Sequence, residues 1–311
     1  MPDTCERANV KRYFTFLFSL ERTHRETYKN AIENCDLGRI EACEGLLDRH
    51  HYKKQHGATA EGDQPTALKA VVKELKKDLP KDLDLSARAS MFIRYDEDRP
   101  QFLQALLTGV QGTPYESGCF LFDVYVPANY PQTNPSVTHT TKNATQVHAN
   151  NGPGGFSPNL HQSSGKVCLS LLGTWNGPGW EPGKSNLYQV LASILWMILG
   201  AEHPYYMEPG HGGWEGTAPK DNHSAKVVEY DEEVKFGTAK WGILEQLKEP
   251  PRGFEGVVRA HFAAKRPLIL ATTKAWFEAG SKAFQERFKP VLEELEDPAL
   301  WVNCGLVTVA D

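Results

Sequence analysis

The chain has 311 residues, a formal net charge of -5, and 40% hydrophobic and 23% charged residues. This balance is typical of a globular protein and excludes disorder throughout, and the near-neutral charge gives no reason to expect nucleic-acid binding. No run approaches the roughly 20 apolar residues of a membrane span. The apolar run at 13–20 is short for a signal peptide and is followed at once by charged residues. We therefore expect neither membrane insertion nor secretion.

The cysteines indicate a reducing compartment. There are six, irregularly spaced and without a CxxC pair, which is not the pattern of a disulfide framework. A metal site could combine Cys35 and Cys43 with His50 and His56, but this spacing matches no closed tetrahedral pattern. The sequence therefore favours a cytoplasmic or nuclear protein without a metal site.

The first 80 residues predict helix, linker and helix. Residues 11–55 are rich in Glu, Arg and Lys and have a helical pattern, whereas 56–64 are small and polar. An amphipathic helix begins at Pro65 and is ended by Pro80. Its charged face is either a solvated surface or a docking surface for an acidic partner. The lysines on that face are Lys69, Lys73, Lys76 and Lys77.

Apolar runs separated by short turns then predict an antiparallel sheet. The turns are rich in Asp, Gly and Pro, and the third run alternates in polarity as a half-buried strand does. The runs lie at 89–95, 102–109, 119–126 and 136–141.

Helices are predicted for most of the remaining chain. A wide apolar face makes 187–198 a core helix. Further helical patterns occur at 225–247, 254–264 and 268–295. The fold class is therefore α+β, with the sheet first and the helices after it.

One cysteine lies where a polar loop meets an apolar run. Residues 143–164 are almost devoid of apolar side chains, and the run that follows contains Cys168. A scaffold presents a nucleophile at such a place, and a thiol can form a thioester that an amine then attacks. Lys166 is expected to lower the pKa of the thiol slightly. The alternative is a buried structural cysteine.

An asparagine in the same loop suits amine transfer. A hydrolytic cysteine enzyme needs a histidine base, but the spacing of His148 and His161 matches no cysteine-protease signature. Asn159 lies nine positions before Cys168 and has the amide N–H to stabilise an oxyanion. The alternative is that Asn159 only forms a turn.

Four segments in register resemble ubiquitin-conjugating enzymes, and they are followed by Trp175 or Trp180. With the run AEHPYY at 201–206 and the run PPRGFE at 250–255, they are most similar to the large subgroup of hybrid conjugating enzyme–ligases, the apollon-like proteins. The resemblance covers about 65–290 and does not extend to 1–60. The four segments are GTPYESGCF at 112–120, VPANYP at 126–131, FSPNL at 156–160 and GKVCLSLL at 165–172.

The resemblance implies a four-stranded antiparallel meander flanked by helices, with helical extensions at both ends. The implied organisation is an N-terminal segment 1–63, a conjugating core 64–210 and a C-terminal extension 211–311. It further implies that Cys168 accepts the carboxyl terminus of ubiquitin as a thioester and that Asn159 stabilises the oxyanion when a substrate lysine attacks. The lysine-bearing helix would dock on the activating enzyme, which alone consumes ATP, and no cofactor or metal is implied.

Several positions depart from the family pattern. Ser157 stands where a histidine is usual, and the interval from Asn159 to Cys168 is one residue longer, which leaves the separation of donor and thiol open. Gln132 replaces an aromatic residue at which RING-type ligases dock, and predicts weak dependence on such ligases.

Two further roles are assigned to candidates. The acidic residue that orients the attacking lysine has no clear counterpart, so Glu202 and His203 are the catalytic candidates. Trp180 joins Gln132 as a candidate for partner binding.

Other readings stay open. The chain could be a non-catalytic ubiquitin-binding variant of the same fold, or it could conjugate a ubiquitin-like modifier. The helical extensions could recruit substrate, contact a ligase or form a homodimer through Trp241, Phe254 and Trp276, or these aromatic side chains could pack in the core.

Overall fold

The structure is a computed structural model, and it describes residues 28, 38–55, 65–79, 88–141, 156–161, 164–208 and 224–304. The apolar run 13–20, the linker 56–64, and Cys35, His56 and His148 lie outside these residues. Within them no helix is long and apolar enough to cross a membrane.

A five-stranded sheet with the order β1-β2-β3-β4-β5 forms the centre of the fold. The antiparallel pairing of β2 with β3, β3 with β4 and β4 with β5 confirms the predicted meander and the α+β class. The strands are β1 Ile40–Cys43, β2 Met91–Asp96, β3 Phe102–Thr108, β4 Cys119–Tyr125 and β5 Ser136–His139.

The first strand is a correction to the sequence prediction. We expected 11–55 to be helical with a break at Gly38, but Ile40–Cys43 is a strand that pairs in parallel with β2. The helix that follows it, α1, covers Leu46–Arg49. Strand β1 has four residues and forms its hydrogen bonds with the edge of β2. Pairing with a distant strand, not the local sequence pattern, therefore determines its conformation.

One face of the sheet, face A, packs mainly against two helices. Helix α2, Pro65–Lys73, continues through a wider turn at Glu74–Asp78, and α3, Leu187–Ser193, continues through Ile194–Ile198. Both confirm the sequence prediction. The side chains that meet between sheet and helices are apolar, and they include Leu79, Ile93, Leu103, Ala105, Val124, Leu187, Val190 and Leu191.

The described part of the C-terminal region, residues 224–304, is mostly helical, as predicted. We expected one helix at 254–264 and one or two at 268–295, but Glu255–Ala279 is a single helix with Pro267 inside it, because buried side chains on both sides of the proline hold the helix together. The helices are α4 Ala225–Gly237, extended through a wider turn at Thr238–Leu244, α5 Glu245–Lys248, α6 Glu255–Ala279, α7 Lys282–Glu296 and α8 Pro298–Asn303.

These helices cover the opposite face of the sheet, face B. Phe92 and Leu106 pack in one cluster with Phe254 and Phe262 of the C-terminal part. The N-terminal residue Tyr28 is buried in the same cluster. Tyr28 and the described C-terminal helices therefore form part of the folded unit around the sheet.

Face B also contains a buried arginine that joins three parts of the chain. Arg94 on β2 donates from Nε to the carbonyl oxygen of Gly253 at 2.6 Å and from Nη1 to that of Gly38 at 3.1 Å. Its Nη2 lies 2.8 Å from a carboxylate oxygen of Glu41. The guanidinium also lies over the Phe254 ring, 5.0 Å from its centroid.

The aromatic residues considered as interface anchors are at least partly in the core. Phe254 is fully buried, and Trp241 and Trp276 are half-buried and pack against the two main clusters. Core packing is the reading that these contacts favour.

Candidate active site

Cys168 lies at the base of a β-hairpin. Leu160 and Val167 face each other across an antiparallel bridge. The N–H of Cys168 donates to the carbonyl oxygen of Asn159 at 2.7 Å. The hairpin therefore brings Asn159 and Cys168 side by side, and the longer interval between them in the sequence does not separate them.

The Asn159 side chain is fixed against this cysteine. It is completely buried, and its Nδ2 donates to the main-chain oxygen of Cys168 at 3.0 Å. Its Oδ1 has no hydrogen-bond partner among the described residues. Because an amide nitrogen carries two N–H groups, one remains available to an acceptor at the cysteine.

The loop before the hairpin is held without the usual histidine. The Ser157 hydroxyl accepts a hydrogen bond from the N–H of Asn159 at 3.2 Å. The buried Tyr115 hydroxyl donates to the carbonyl oxygen of Phe156. Tyr115 was not singled out from the sequence as a site residue, although it lies within the first segment that resembles the family.

A threonine holds the chain on the other side of the cysteine. Thr174 Oγ1 donates to the carbonyl oxygen of Val167 at 2.8 Å and accepts from the N–H of Leu169 at 2.9 Å. The backbone on both sides of Cys168 is thus fixed, while the cysteine itself is half-buried.

The pKa of the Cys168 thiol is raised above its ordinary value. Burial is the main cause, the nearby Lys166 lowers the pKa, and the charge of Glu208 raises it. Lys166 does lower the thiol pKa, as expected, but the thiol pKa as a whole is raised, because the effect of desolvation is larger than that of Lys166. At neutral pH the resting thiol is protonated, so it must lose its proton when it attacks.

The structure places the two candidates for the lysine-orienting group differently. Glu202 is exposed. His203 is half-buried, and its Nδ1 lies 2.7 Å from Oδ2 of Asp231 on helix α4. Glu208, six residues after Glu202, is the carboxylate whose charge acts on the thiol. Sequence reasoning missed Glu208, because no local pattern shows that the turn after α3 returns towards Cys168.

The candidate partner-binding residues are partly exposed. The four lysines of α2 are all exposed, and Lys73 lies 3.3 Å from Asp78. Gln132 is exposed too. Trp180 is half-buried, and its Nε1 donates to the carbonyl oxygen of Pro131 at 2.8 Å. Its ring packs against Tyr130, so Trp180 at least supports the loop that carries Gln132.

The described residues contain no group of three or more potential metal ligands. Of the four residues considered for a metal, Cys43 and His50 are described. His50 is buried, and its Nε2 lies 2.8 Å from the carbonyl oxygen of Leu103, while Cys43 accepts from Arg49 at 3.2 Å. The four described cysteines are free.

Comparisons with known proteins agree with this geometry. The family model described as ubiquitin-conjugating enzyme matches residues 71–212. A putative ubiquitin-conjugating enzyme of Arabidopsis thaliana is 33% identical over 246 residues, which cover 78% of this chain and 68% of that protein. The chain belongs to the ubiquitin-conjugating enzyme family.

Some of the similar proteins are far longer than this chain. The dual ubiquitin-conjugating enzyme and ubiquitin-protein ligase BIRC6 of Homo sapiens is 37% identical over 235 residues, 75% of this chain and 5% of that protein. A probable ubiquitin-conjugating enzyme of Acanthamoeba polyphaga mimivirus is 35% identical over 232 residues, 74% of this chain and 15% of its own length. The chain thus spans a small part of these two relatives.

Proposed function

We propose that Cys168 carries ubiquitin between an activating enzyme and a substrate lysine. In the first step the Cys168 thiol loses its proton and attacks the thioester of the activating enzyme, whose thiolate leaves and takes up a proton. In the second step a lysine amine attacks the new thioester, loses its proton and forms an isopeptide bond, and the Cys168 thiol is released. The reaction needs no cofactor of its own, because ATP is consumed by the activating enzyme.

The observation that carries this proposal is the contact between Asn159 and Cys168. An oxyanion forms at the carbonyl carbon bonded to Sγ, next to the cysteine backbone. The Asn159 amide donates to the main-chain oxygen of Cys168 at 3.0 Å. It therefore lies beside the residue whose Sγ is bonded to the reacting carbon. A preorganised donor at that point stabilises charge that exists only in the transition state.

The first experiment is a loading assay on a non-reducing gel with activating enzyme, ubiquitin and ATP. We expect a thiol-labile adduct that is lost in Cys168→Ala and becomes thiol-resistant in Cys168→Ser. Cys304→Ser is the matched control, because Cys304 is also half-buried with a raised thiol pKa. No adduct with ubiquitin, but one with a ubiquitin-like modifier and its own activating enzyme, would favour that alternative. No adduct with any modifier would favour a binding module.

A second experiment separates the role of Asn159 from loading. Asn159→Ala should still form the thioester but discharge it to free lysine about 100- to 1,000-fold more slowly, the usual loss for one oxyanion donor. Ser157→Ala is the control for a merely structural effect, since it removes the other hydrogen bond of this turn. Equal slowing in both variants would contradict the oxyanion role.

The acidic group that assists the lysine is assigned to Glu208 rather than Glu202. A carboxylate near the thiol can attract and deprotonate the incoming amine, and Glu208 is the one whose charge acts on Cys168. Glu208→Gln should slow lysine discharge by about 100-fold or more, the lower end of the usual range for general-base catalysis. Glu202→Gln tests the original candidate, and a loss in that variant alone would return the role to Glu202.

The lysine-bearing face of α2 is proposed to dock on the activating enzyme. Lys69, Lys76 and Lys77 are exposed together with Lys73, whereas Glu74 points inward. Replacing the lysines by glutamate should raise the concentration of activating enzyme needed for half-maximal loading, with discharge of preloaded protein unchanged. Unchanged loading would contradict the docking role.

Built-in ligase activity is a further part of the proposal. Gln132 replaces the aromatic residue at which RING-type ligases dock in related enzymes, and BIRC6 is described as both enzyme and ligase. We expect ubiquitination of a substrate or of the chain itself in the absence of any ligase, and little acceleration by generic RING domains. A large acceleration by such domains would contradict built-in ligase activity.

We also propose that the protein resides in the cytosol or nucleus. Light scattering tests whether it forms a homodimer.

A further inference from the structure

The segment that ends at Glu208 is a short, hydrogen-bonded turn. His203 lies immediately before the 3-10 helix Pro204–Met207, and Glu208 lies immediately after it. The N–H of Tyr206 donates to the carbonyl oxygen of His203 at 3.2 Å, and the N–H of Glu208 donates to that of Tyr205 at 3.4 Å. Because the turn is short and internally bonded, fixing one end fixes the other.

Helix α4 of the C-terminal extension contacts this turn at two points. Nδ1 of His203 lies 2.7 Å from Oδ2 of Asp231. One residue earlier on the helix, the Tyr230 ring meets the Tyr205 ring edge to face, with 6.2 Å between centroids. Both contacts are made by the side of α4 that faces this turn.

Burial of the Asp231 carboxylate beside this turn costs free energy. Its side chain is 10% exposed. Its Oδ1 is buried and has no hydrogen-bond partner among the described residues. A carboxylate buried with one oxygen unpaired is destabilising unless its partner compensates. Burial accordingly raises the pKa of Asp231, against the effect of His203.

The helix that carries Asp231 is itself anchored elsewhere. Both carboxylate oxygens of Glu232 accept hydrogen bonds from Ser281, at 2.6 and 2.7 Å. Glu233 forms an ion pair with Arg287 at 2.6 Å. Helix α4 is thus held in place by contacts with Ser281 and Arg287, and His203 bonds the turn to it.

We propose that the His203–Asp231 pair positions the active site: it ties the turn that carries Glu208 to helix α4, so that the C-terminal extension determines where this carboxylate stands relative to the Cys168 thiol. The inference rests on the role proposed above for Glu208. His203 is then a positioning residue and does not act on the lysine directly.

The test measures the Cys168 thiol itself and needs no ubiquitin. The full chain is alkylated with iodoacetamide between pH 7 and 10, and the Cys168 peptide is quantified by mass spectrometry. Glu208→Gln removes a negative charge near the thiol, so alkylation at neutral pH should be about twofold faster. Asp231→Ala should give the same increase, and the double variant should be no faster than Glu208→Gln alone.

A matched control lies two residues further along the same helix. Glu233→Ala removes an ion pair of similar length that joins α4 to Arg287 on α7 instead of to the turn, and should leave the alkylation profile unchanged. If Asp231→Ala does not fold, His203→Ala breaks the same contact at a side chain that is 28% exposed.

Three results would overturn the proposal, and the third is the behaviour of the double variant. The first is that Asp231→Ala and His203→Ala alkylate as the wild type does while Glu208→Gln is faster. The second is that Glu208→Gln has no effect on the thiol. A double variant faster than Glu208→Gln would show general loosening of the site and would also count against positioning. A chain that forms no thioester with any modifier would refute the proposed function, yet the alkylation results would still be interpretable.

Discussion

The two faces of the sheet are buried in different ways. Face A is apolar and packs mainly against α2 and α3. Face B carries Arg94, Gln104 and Asp123 beside Phe92 and Leu106, and all of these side chains are buried. Burial of apolar area is enough to close face A, whereas face B also requires a partner for each polar group. The packing of face B therefore depends more on particular partners than that of face A, and single substitutions disrupt it more easily.

Removing the cover of face B should have the largest effect. A chain that ends at residue 210 lacks α4 to α8, so Phe92, Leu106 and Cys119 lose the helices that bury them. Each fully buried apolar side chain is worth about 1.5–3 kcal/mol. We expect the shortened chain to bind a hydrophobic dye and to lose its cooperative thermal transition in circular dichroism. Cooperative unfolding near the midpoint of the full chain would show that face B needs no cover.

Arg94 should be the most sensitive single position. Arg94→Met leaves the carbonyl oxygens of Gly253 and Gly38 without their donor and Glu41 without its partner. A carbonyl oxygen left without its donor costs about 1–3 kcal/mol in the free energy of unfolding, whereas the loss at Glu41, whose side chain is 40% exposed, is small. Ile93→Val, the neighbouring change on face A, should cost about 0.5–1.5 kcal/mol. Denaturant titration compares them, and equal costs would contradict the difference between the faces.

Face B should also be the source of a loss of stability in acid. Burial lowers the pKa of His261 to about 3. Its Nε2 lies 3.0 Å from the carbonyl oxygen of Ser117, and its Nδ1 lies 3.0 Å from the Tyr28 hydroxyl. The ring is therefore neutral in the folded chain and binds a proton below about pH 6.5 only when unfolded.

The sign of the pH dependence follows from the difference in the His261 pKa between the folded and unfolded chains. The contribution of His261 is fully present above about pH 6.5 and is lost as the pH falls towards 3, by about 1.4 kcal/mol per pH unit. His261→Gln should be less stable than wild type at pH 7.5, but its free energy of unfolding should fall less between pH 6.5 and 5. Equal slopes in the two proteins would exclude a neutral buried imidazole.

The smallest effect is expected at the start of α3, on the face A side. Asn186 accepts a hydrogen bond from the N–H of Gln189 at 2.9 Å, and the Gln189 side chain accepts from the N–H of Asn186 at 3.2 Å. Asn186→Ala should cost about 1 kcal/mol in thermal unfolding, the usual value of a helix cap. Ser193→Ala, further along the same helix, should cost less, and the reverse order would refute the cap.

The sequence predicts what is local and what resembles a family. The periodicity of β2 to β5, α2 and α3 is strong because each buries a continuous apolar face. The pairing of Asn159 with Cys168 was expected from the resemblance, although the hairpin that creates it has no local signature.

Other features depend on contacts between distant segments. Strand β1 exists because the edge of β2 offers partners, and Pro267 is tolerated because packing holds α6 together. The charge of Glu208 acts on the Cys168 thiol, and desolvation of the thiol outweighs Lys166, only in the folded chain. No single window of sequence contains this information, because each effect depends on which segments meet.

The Arg94 network has a consequence for synthesis on the ribosome. Arg94 and the Gly253 carbonyl that it binds are 159 positions apart in the chain. The whole sheet and both helices of face A are translated before α4 begins at Ala225. During that interval the helices that cover face B have not been made, so Phe92 and Leu106 are left uncovered, and apolar surface of this kind is what chaperones bind.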